Sequence, residues 1–137
     1  MGRILALDYG TKRVGIAVTD PLKIIATSLI TVHANETLDY IKTYMTKESV
    51  ELIVVGLPVQ MNGQPSEVEV HIKSFLKKLI NQIPEIPVVR YDERFTTKMA
   101  ISSMIEGGYK KKDRRDKKNL DSISATLILQ GYLLSIQ

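Results

Sequence analysis

The segment RILALDYGTKRVGIAVTD, residues 3–20, predicts how the fold begins. Two apolar runs flank a short link around Gly10, which is the pattern of a β-hairpin. The first run carries a carboxylate, Asp8, to its carboxyl end. Because side chains alternate across a strand, Ile4, Ala6 and Asp8 share one face, which helices are expected to cover. Asp8 is therefore either an ordinary turn residue or a carboxylate that needs a partner such as a metal ion.

The order of the predicted elements indicates an α/β fold with a mixed sheet. Three β-rich runs, 3–9, 13–19 and 24–33, leave no room for a crossover helix and are expected to form an antiparallel meander. Two later strands, 51–58 and 86–95, each follow a helix and are expected to lie parallel to their neighbours through right-handed crossovers. The sequence thus predicts a five-stranded sheet with helices on both faces.

Helix signals separate and follow these strands. Asn35 is the expected N-cap of the first helix. Ser66 and Glu69 form the expected capping box of the second. A third helix stops at Gly107, and a strongly apolar last helix is expected over 119–135. The apolar positions of the second helix are Val70, Phe75, Leu76, Leu79 and Ile80.

The composition excludes several classes of protein. The chain has 137 residues, 44% of them hydrophobic and 25% charged, which fits one globular domain over 1–137. It has no cysteine, which excludes disulfides and thiolate metal sites. No apolar stretch is long enough to span a bilayer, and no signal-peptide pattern is present. We therefore expect a cytoplasmic protein.

The positive charge is concentrated in one segment. Residues 110–118, KKKDRRDKK, hold seven Lys or Arg and two acidic residues, a balance of +5 in a chain of net charge +4. Such a block is typical of contact with a phosphate backbone, although a solvated loop has the same composition. The block contains no aromatic residue, so it gives no sign of base stacking.

Carboxylates lie at the ends of three predicted elements, near one edge of the sheet. Asp8 ends strand one, Asp92 and Glu93 end strand five, and Asp121 is expected in the first turn of the last helix. Carboxylates that converge repel one another unless a cation lies between them, and oxygen ligands without Cys or His suit Mg²⁺ or Mn²⁺. Such ions assist phosphodiester hydrolysis. Taken singly, Glu93 also fits a surface acid paired with Arg94, and Asp121 also fits a residue that favours the helix macrodipole.

Four motifs in this order resemble the YqgF/RuvX family of RNase H-like proteins, described as Holliday-junction resolvases and as pre-16S rRNA nucleases. The motifs are LALDYGTKRVGIAVTD, VVGLPVQMNGQPS, YDERFTT and LDSISATLILQGYL, and together they run nearly end to end. The resemblance implies an RNase H-like fold and a divalent metal cofactor. It also implies that the catalytic and metal-binding carboxylates are Asp8, Glu93 and Asp121. One mild departure is DSISAT, where the family has a more Ala-rich stretch.

Further residues follow from the charge pattern and the resemblance. The expected nucleic-acid contacts are Lys12, Arg13, Arg94, Lys110, Lys111, Lys112, Arg114 and Arg115. The expected structural motif residues are Gly10, Gly15, Gly56, Pro58, Gly63, Thr96 and Thr97. His33 and His71 have no metal-ligand partner at helical spacing, and we expect them to be structural or surface residues.

The function expected from the resemblance is hydrolysis of phosphodiester bonds, with processing of the 5′ end of pre-16S rRNA favoured and ribosomal precursor particles as partners. Resolution of a four-way DNA junction is the alternative, and it requires a two-fold symmetric dimer. The sequence leaves a monomer and a homodimer open. Actin-like ATPases and sugar kinases share the D-x-G-T hairpin but close two such domains over a nucleotide. A non-catalytic RNA-binding module remains open too, although clustered acids beside phosphates make sense mainly with metal between them.

Overall fold

The computed structural model describes residues 2–58, 67–92 and 117–136, with only the backbone described for residues 117–122. Within these ranges the chain forms one five-stranded sheet with helices on both sides. The α/β class predicted from the sequence is confirmed.

The strands have the predicted order and directions. They are β1 (Arg3–Tyr9), β2 (Arg13–Thr19), β3 (Ala26–His33), β4 (Val50–Leu57) and β5 (Val88–Asp92). The spatial order is β3-β2-β1-β4-β5, so β1 is central. The first three strands pair antiparallel, while β4 lies parallel to both β1 and β5. The carboxyl ends of β1, β4 and β5 therefore share one edge of the sheet.

The helices divide between the two faces of the sheet. A short 3-10 helix (Ala34–Glu36) leads into α1 (Thr37–Lys47), and α2 (Glu69–Gln82) and α3 (Lys117–Ser135) follow. Helices α1 and α2 cover one face and α3 covers the other. None of the helices in the described part of the chain is long and apolar enough to cross a membrane.

Alternation along the central strand builds two separate cores. Leu5 and Leu7 pack with α1 and α2, through residues such as Ile41 and Phe75. Ile4 and Ala6 face the opposite side and pack with α3. The small side chains in this second core let α3 approach the sheet closely. They are Ala6, Ala17 and Ala125, all fully buried.

Some predicted boundaries and caps are wrong. The third strand begins at Ala26 rather than at residue 24, and the last helix already includes Lys117, two residues before the predicted start at 119. Asn35 is not an N-cap, because the 3-10 turn that contains it precedes α1, whose N-cap position is Glu36 without a side-chain bond. The predicted cap residue Ser66 lies outside the described residues.

The apolar stripe predicted for α2 is partly wrong. Ile72, Phe75 and Leu79 are buried against the sheet. Val70 and Ile80, by contrast, are exposed by 72% and 55%. Both lie on the helix face turned away from the sheet, where a hydrophobic residue contributes little to the core.

Candidate functional site

Asp8 lies at the carboxyl end of the central strand, half-buried, one residue before β1 ends. Its alternation with Ile4 and Ala6 places it on the face that α3 covers, as the sequence predicts. On the neighbouring strand it is paired with Gly15. On the other side, Leu7 is paired with Val55, so the next level of the ladder places Asp8 beside Gly56.

The glycines that flank Asp8 explain two of the predicted motif positions. Residues paired across neighbouring strands point to the same face of a sheet. Gly15 and Gly56 therefore occupy the two positions where a side chain would otherwise stand beside the carboxylate. Both are buried. At these two ladder positions, therefore, no side chain stands beside the Asp8 carboxylate.

Gly10 has a different role, in the hairpin that follows. Its backbone N–H donates to the carbonyl oxygen of Arg13 at 2.9 Å, which closes the turn. A Cβ at position 10 would lie 2.8 Å from that same carbonyl oxygen, closer than a real Cβ approaches a backbone atom. The chain therefore reverses tightly just beyond Asp8 because residue 10 has no side chain.

Asp20, which follows the second apolar run, has a carboxylate that stabilises a turn. Its oxygens accept hydrogen bonds from the backbone N–H groups of Leu22, Ile24 and Ile25, at 3.1, 2.8 and 2.7 Å. These bonds, led by that from Ile25, hold the pKa of Asp20 below its usual value. The turn also contains Lys23 with a positive φ of 59°.

The ends of β4 and β5 are joined to α2 by an ion pair between half-buried Arg90 and buried Glu69, which the sequence pattern did not predict. Arg90 donates to both carboxylate oxygens of Glu69, at 3.0 and 2.7 Å. The same guanidinium donates to the carbonyl oxygens of Val55 and Gly56, at 3.3 and 2.8 Å. Arg90 therefore fixes the carboxyl end of β4, where the predicted Gly-Leu-Pro motif begins. A charged residue inside the apolar run PVVRYD is the signal that could have found it.

Strand β5 is also anchored to α3, through Tyr91 and Gly131. A Cβ at position 131 would lie 2.4 Å from the hydroxyl oxygen of Tyr91. The missing side chain of Gly131 therefore lets the tyrosine ring pack against the helix. Tyr91 is paired with Gly56, and Asp92 is paired with Leu57. This contact fixes the strand two residues before the predicted catalytic Glu93.

Residue 121 is the fifth residue of α3 and belongs to its second turn. The expectation of a first-turn residue is wrong, and the macrodipole explanation of Asp121 loses its basis, since that effect is confined to the first turn. By helical spacing, position 121 shares a face with Ala125 and Ile128, both of which pack against the sheet on the same side as Asp8.

The other predicted site residues divide into those that the structure places and those that it does not describe. Lys12 is exposed in the hairpin turn, Arg13 is half-buried at the start of β2, and Pro58 is half-buried just after β4. Outside the described residues lie Gly63, Glu93, Arg94, Thr96, Thr97, Lys110, Lys111, Lys112, Arg114 and Arg115. Among the described side chains, those of residues 2–58, 67–92 and 123–136, no group of three His, Asp or Glu is placed to hold a metal ion.

A family model described as "RuvX: Holliday junction resolvase" matches residues 2–135 of this chain. The chain belongs to the RuvX family. Its D-Y-G-T hairpin is therefore that of a RuvX protein rather than that of an actin-like ATPase or a sugar kinase. The family resemblance predicted from the four motifs is confirmed.

Relatives of the RuvX protein match it over nearly the full length of both chains. One from Christiangramia forsetii, named "Putative pre-16S rRNA nuclease", is 56% identical over 133 residues, 97% of this chain and 98% of the relative. One of the same name from Amoebophilus asiaticus is 52% identical over 135 residues, 98% of this chain and 96% of the relative.

Solved structures support the fold of the RuvX protein. The structure titled "T. thermophilus RuvC in complex with Holliday junction substrate" matches with a TM-score of 0.55 at 17% identity, over 98% of this chain and 96% of that one. The fowlpox virus Holliday junction resolvase matches with a TM-score of 0.50 at 16% identity, over 97% and 99% of the two chains. The predicted RNase H-like architecture is therefore confirmed.

Proposed function

We propose that this RuvX protein, as a single domain over residues 1–137, is a metal-dependent nuclease that processes the 5′ end of pre-16S rRNA in the cytoplasm. The observation that carries the proposal is the placement of Asp8 at the carboxyl end of the central strand, paired with Gly15 and on the face covered by α3. The nuclease class agrees with the names of the relatives at 56% and 52% identity.

The residues present fit a divalent cation. Asp8 supplies hard oxygen donors at the sheet edge, the chain has no cysteine, and Glu93 directly follows the last residue of β5. We propose that Asp8, Glu93 and Asp121 hold Mg²⁺ or Mn²⁺, the ions that carboxylate ligands select. When bound, such a cation supplies positive charge that stabilises the negative charge developing on the phosphate.

Cationic side chains near the site would bind the phosphates of the substrate strand. Lys12 and Arg13 lie in and beside the hairpin turn that follows Asp8, where they would contact phosphates of the substrate strand. Together with Arg94 and the basic segment 110–118, they would position the strand without reading its sequence. We infer that nucleic acid, within ribosomal precursor particles, is the partner.

Resolution of a four-way DNA junction is the second candidate. It is favoured by the description of the family and by the fold shared with two resolvase structures. A resolvase cuts two strands related by two-fold symmetry and so acts as a dimer. A nuclease that trims a single RNA strand has no such requirement.

A direct comparison of the two substrates tests the assignment. The purified protein is incubated with Mg²⁺ or Mn²⁺ and either a 16S rRNA precursor carrying its 5′ extension or a four-way DNA junction of matched concentration. We expect cleavage in the 5′ extension and little cleavage of the junction. Paired, symmetric cuts in the junction with an intact RNA would overturn the proposal in favour of the resolvase.

A further inference from the structure

A cavity opens on the other face of the sheet, at the same edge as Asp8. It has a volume of about 670 Å³, within the range of small-molecule sites. It is an open cleft on the surface, lined by the hairpin turn after β1, the start of the α1 segment and one side of α2. Its lining includes Tyr9, Lys12, His33, His71, Phe75 and Lys78.

The floor of the cavity is aromatic. The rings of Tyr9 and Phe75 lie 4.8 Å apart at an angle of 33°, and Leu38 packs in the same cluster. Burial raises the pKa of the Tyr9 phenol, so its hydroxyl remains a hydrogen-bond donor across the working pH range. An apolar floor of this kind accepts a planar ring.

The rim of the cavity is polar and mostly cationic. Lys12 and Lys78 contribute two positive charges, and Asp39 contributes the one acidic side chain among the lining residues. Asn35 and Ser74 add groups that both donate and accept hydrogen bonds. An aromatic floor beneath a cationic, hydrogen-bonding rim suits a nucleotide, whose base stacks on aromatic rings and whose phosphate is anionic.

We propose that this cavity binds one unpaired nucleotide of the substrate strand, with the base over Tyr9 and Phe75 and the phosphate at Lys12 and Lys78. The inference rests on the proposed nuclease function and adds a subsite to it. Both histidines of the chain, His33 and His71, line this cavity and would lie beside the bound nucleotide.

The position of the cavity connects it to the candidate site. Tyr9 directly follows Asp8, and the two side chains point to opposite faces of the sheet. Among the described residues, the hairpin turn lies between the two faces at this edge. The turn is held in place because the backbone N–H of Ala34 donates to the carbonyl oxygen of Lys12 at 3.0 Å. A strand that passes over the turn can therefore present a phosphate to Asp8 and insert a neighbouring base into the cavity.

The two histidines allow a test that does not depend on cleavage. The imidazole signals of His33 and His71 are followed by NMR while a ribonucleoside 5′-monophosphate is added without divalent metal. We expect both signals to shift and saturate, with smaller shifts for inorganic phosphate or for the nucleoside alone. No shift with the monophosphate would overturn the proposal, and so would an equal shift with inorganic phosphate, which would indicate a simple anion site.

A matched pair of lysine variants tests whether the bound nucleotide belongs to a strand. Lys78 lines the cavity, whereas Lys77 is also exposed on α2 but lies outside the lining. In single-stranded RNA binding measured by fluorescence anisotropy, Lys78→Ala should weaken affinity about fivefold and lower the salt slope by about one. Lys77→Ala should change affinity much less. Equal effects of the two variants would overturn the strand subsite.

The outcomes for the two proposals can be told apart. Cleavage of the rRNA precursor with equal binding by Lys77→Ala and Lys78→Ala would leave the nuclease intact and remove the subsite. Absence of cleavage together with histidine shifts on adding the monophosphate and selective weakening by Lys78→Ala would remove the nuclease assignment and support nucleotide binding in the cavity.

Discussion

Asp8 on β1 is paired with Gly15 on β2, so the one carboxylate of the central strand has no side chain at the directly opposite position. Asp20, another aspartate at the end of an apolar run, has different surroundings. Asp20 also follows an apolar run, but its carboxylate is engaged by three backbone N–H groups of its own turn. Two aspartates that look alike in the sequence thus have different surroundings, and each surrounding leads to a different prediction.

The stability of the β2–β3 turn should depend on the charge of Asp20. The pKa of Asp20 is lowered in the folded state by the N–H groups of Ile25, Ile24 and Leu22, so the ionised form favours folding. This contribution is present above the unfolded pKa of about 3.9 and is lost as pH falls below it through the lower folded value. Thermal unfolding of the wild type and of Asp20→Asn should therefore differ at neutral pH and converge in strong acid. A constant difference across that range would contradict the assignment.

The buried ion pair of Arg90 and Glu69 should contribute far more than an exposed one. The Glu69 side chain is only 7% exposed, so Arg90→Ala leaves a nearly buried carboxylate unpaired and should cost about 3 kcal/mol in the free energy of unfolding. The exposed pair of Lys23 and Glu51, joined at 2.6 Å, is the control, and Lys23→Ala should cost less than about 1 kcal/mol. Urea denaturation measures both. Equal destabilisation by the two changes would show that burial has no influence on the pair.

Because Tyr91 contacts Gly131, the effect of Gly131→Ala on the free energy of unfolding should have opposite signs in the wild type and in a Tyr91→Leu variant. In the wild type, Gly131→Ala forces a methyl group against the Tyr91 ring and should destabilise the protein by about 1–3 kcal/mol. In a Tyr91→Leu background that ring is gone, and the same change should be neutral or stabilising by up to about 1 kcal/mol, because alanine favours a helix. A double-mutant cycle from urea denaturation gives the coupling. Additive effects would exclude the close packing of Tyr91 on α3.

The basic segment should govern the salt dependence of RNA binding. Neutralising Lys110, Lys111, Lys112, Arg114 and Arg115 should weaken binding and reduce the salt slope by about 0.7–0.9 for each phosphate that the segment no longer neutralises. Exposed lysines of α1 and α2, namely Lys47, Lys73 and Lys77, serve as the control set. Unchanged affinity and slope in the segment variant would mean that 110–118 is only a solvated connection.

The sequence was sufficient for the sheet because its signals are periodic and local. The alternation around Leu5 and Ala6 predicts both faces of β1, and the absence of a crossover between the first three strands dictates their antiparallel pairing. The same reasoning failed at helix ends. Asn35 is a good N-cap by residue type, but the chain enters a 3-10 turn there before α1 begins.

Contacts between distant residues were beyond sequence reasoning. Arg90 and Glu69 are 21 positions apart, and only the packing of α2 beside β5 brings them together. The same holds for Tyr91 and Gly131, whose fit depends on where α3 crosses the sheet. Likewise, His33 and His71 show no shared pattern in the sequence, yet the fold places both around one cavity.

The most direct test of the account compares Asp8→Asn with Asp20→Asn in metal-dependent cleavage of a 16S rRNA precursor. Both changes remove one carboxylate charge at the end of an apolar run, but only Asp8 lies at the carboxyl edge of the central strand. We expect Asp8→Asn to abolish cleavage while folding and RNA binding are largely kept, and we expect Asp20→Asn to retain cleavage. Full cleavage by Asp8→Asn would contradict the metal-binding role of Asp8.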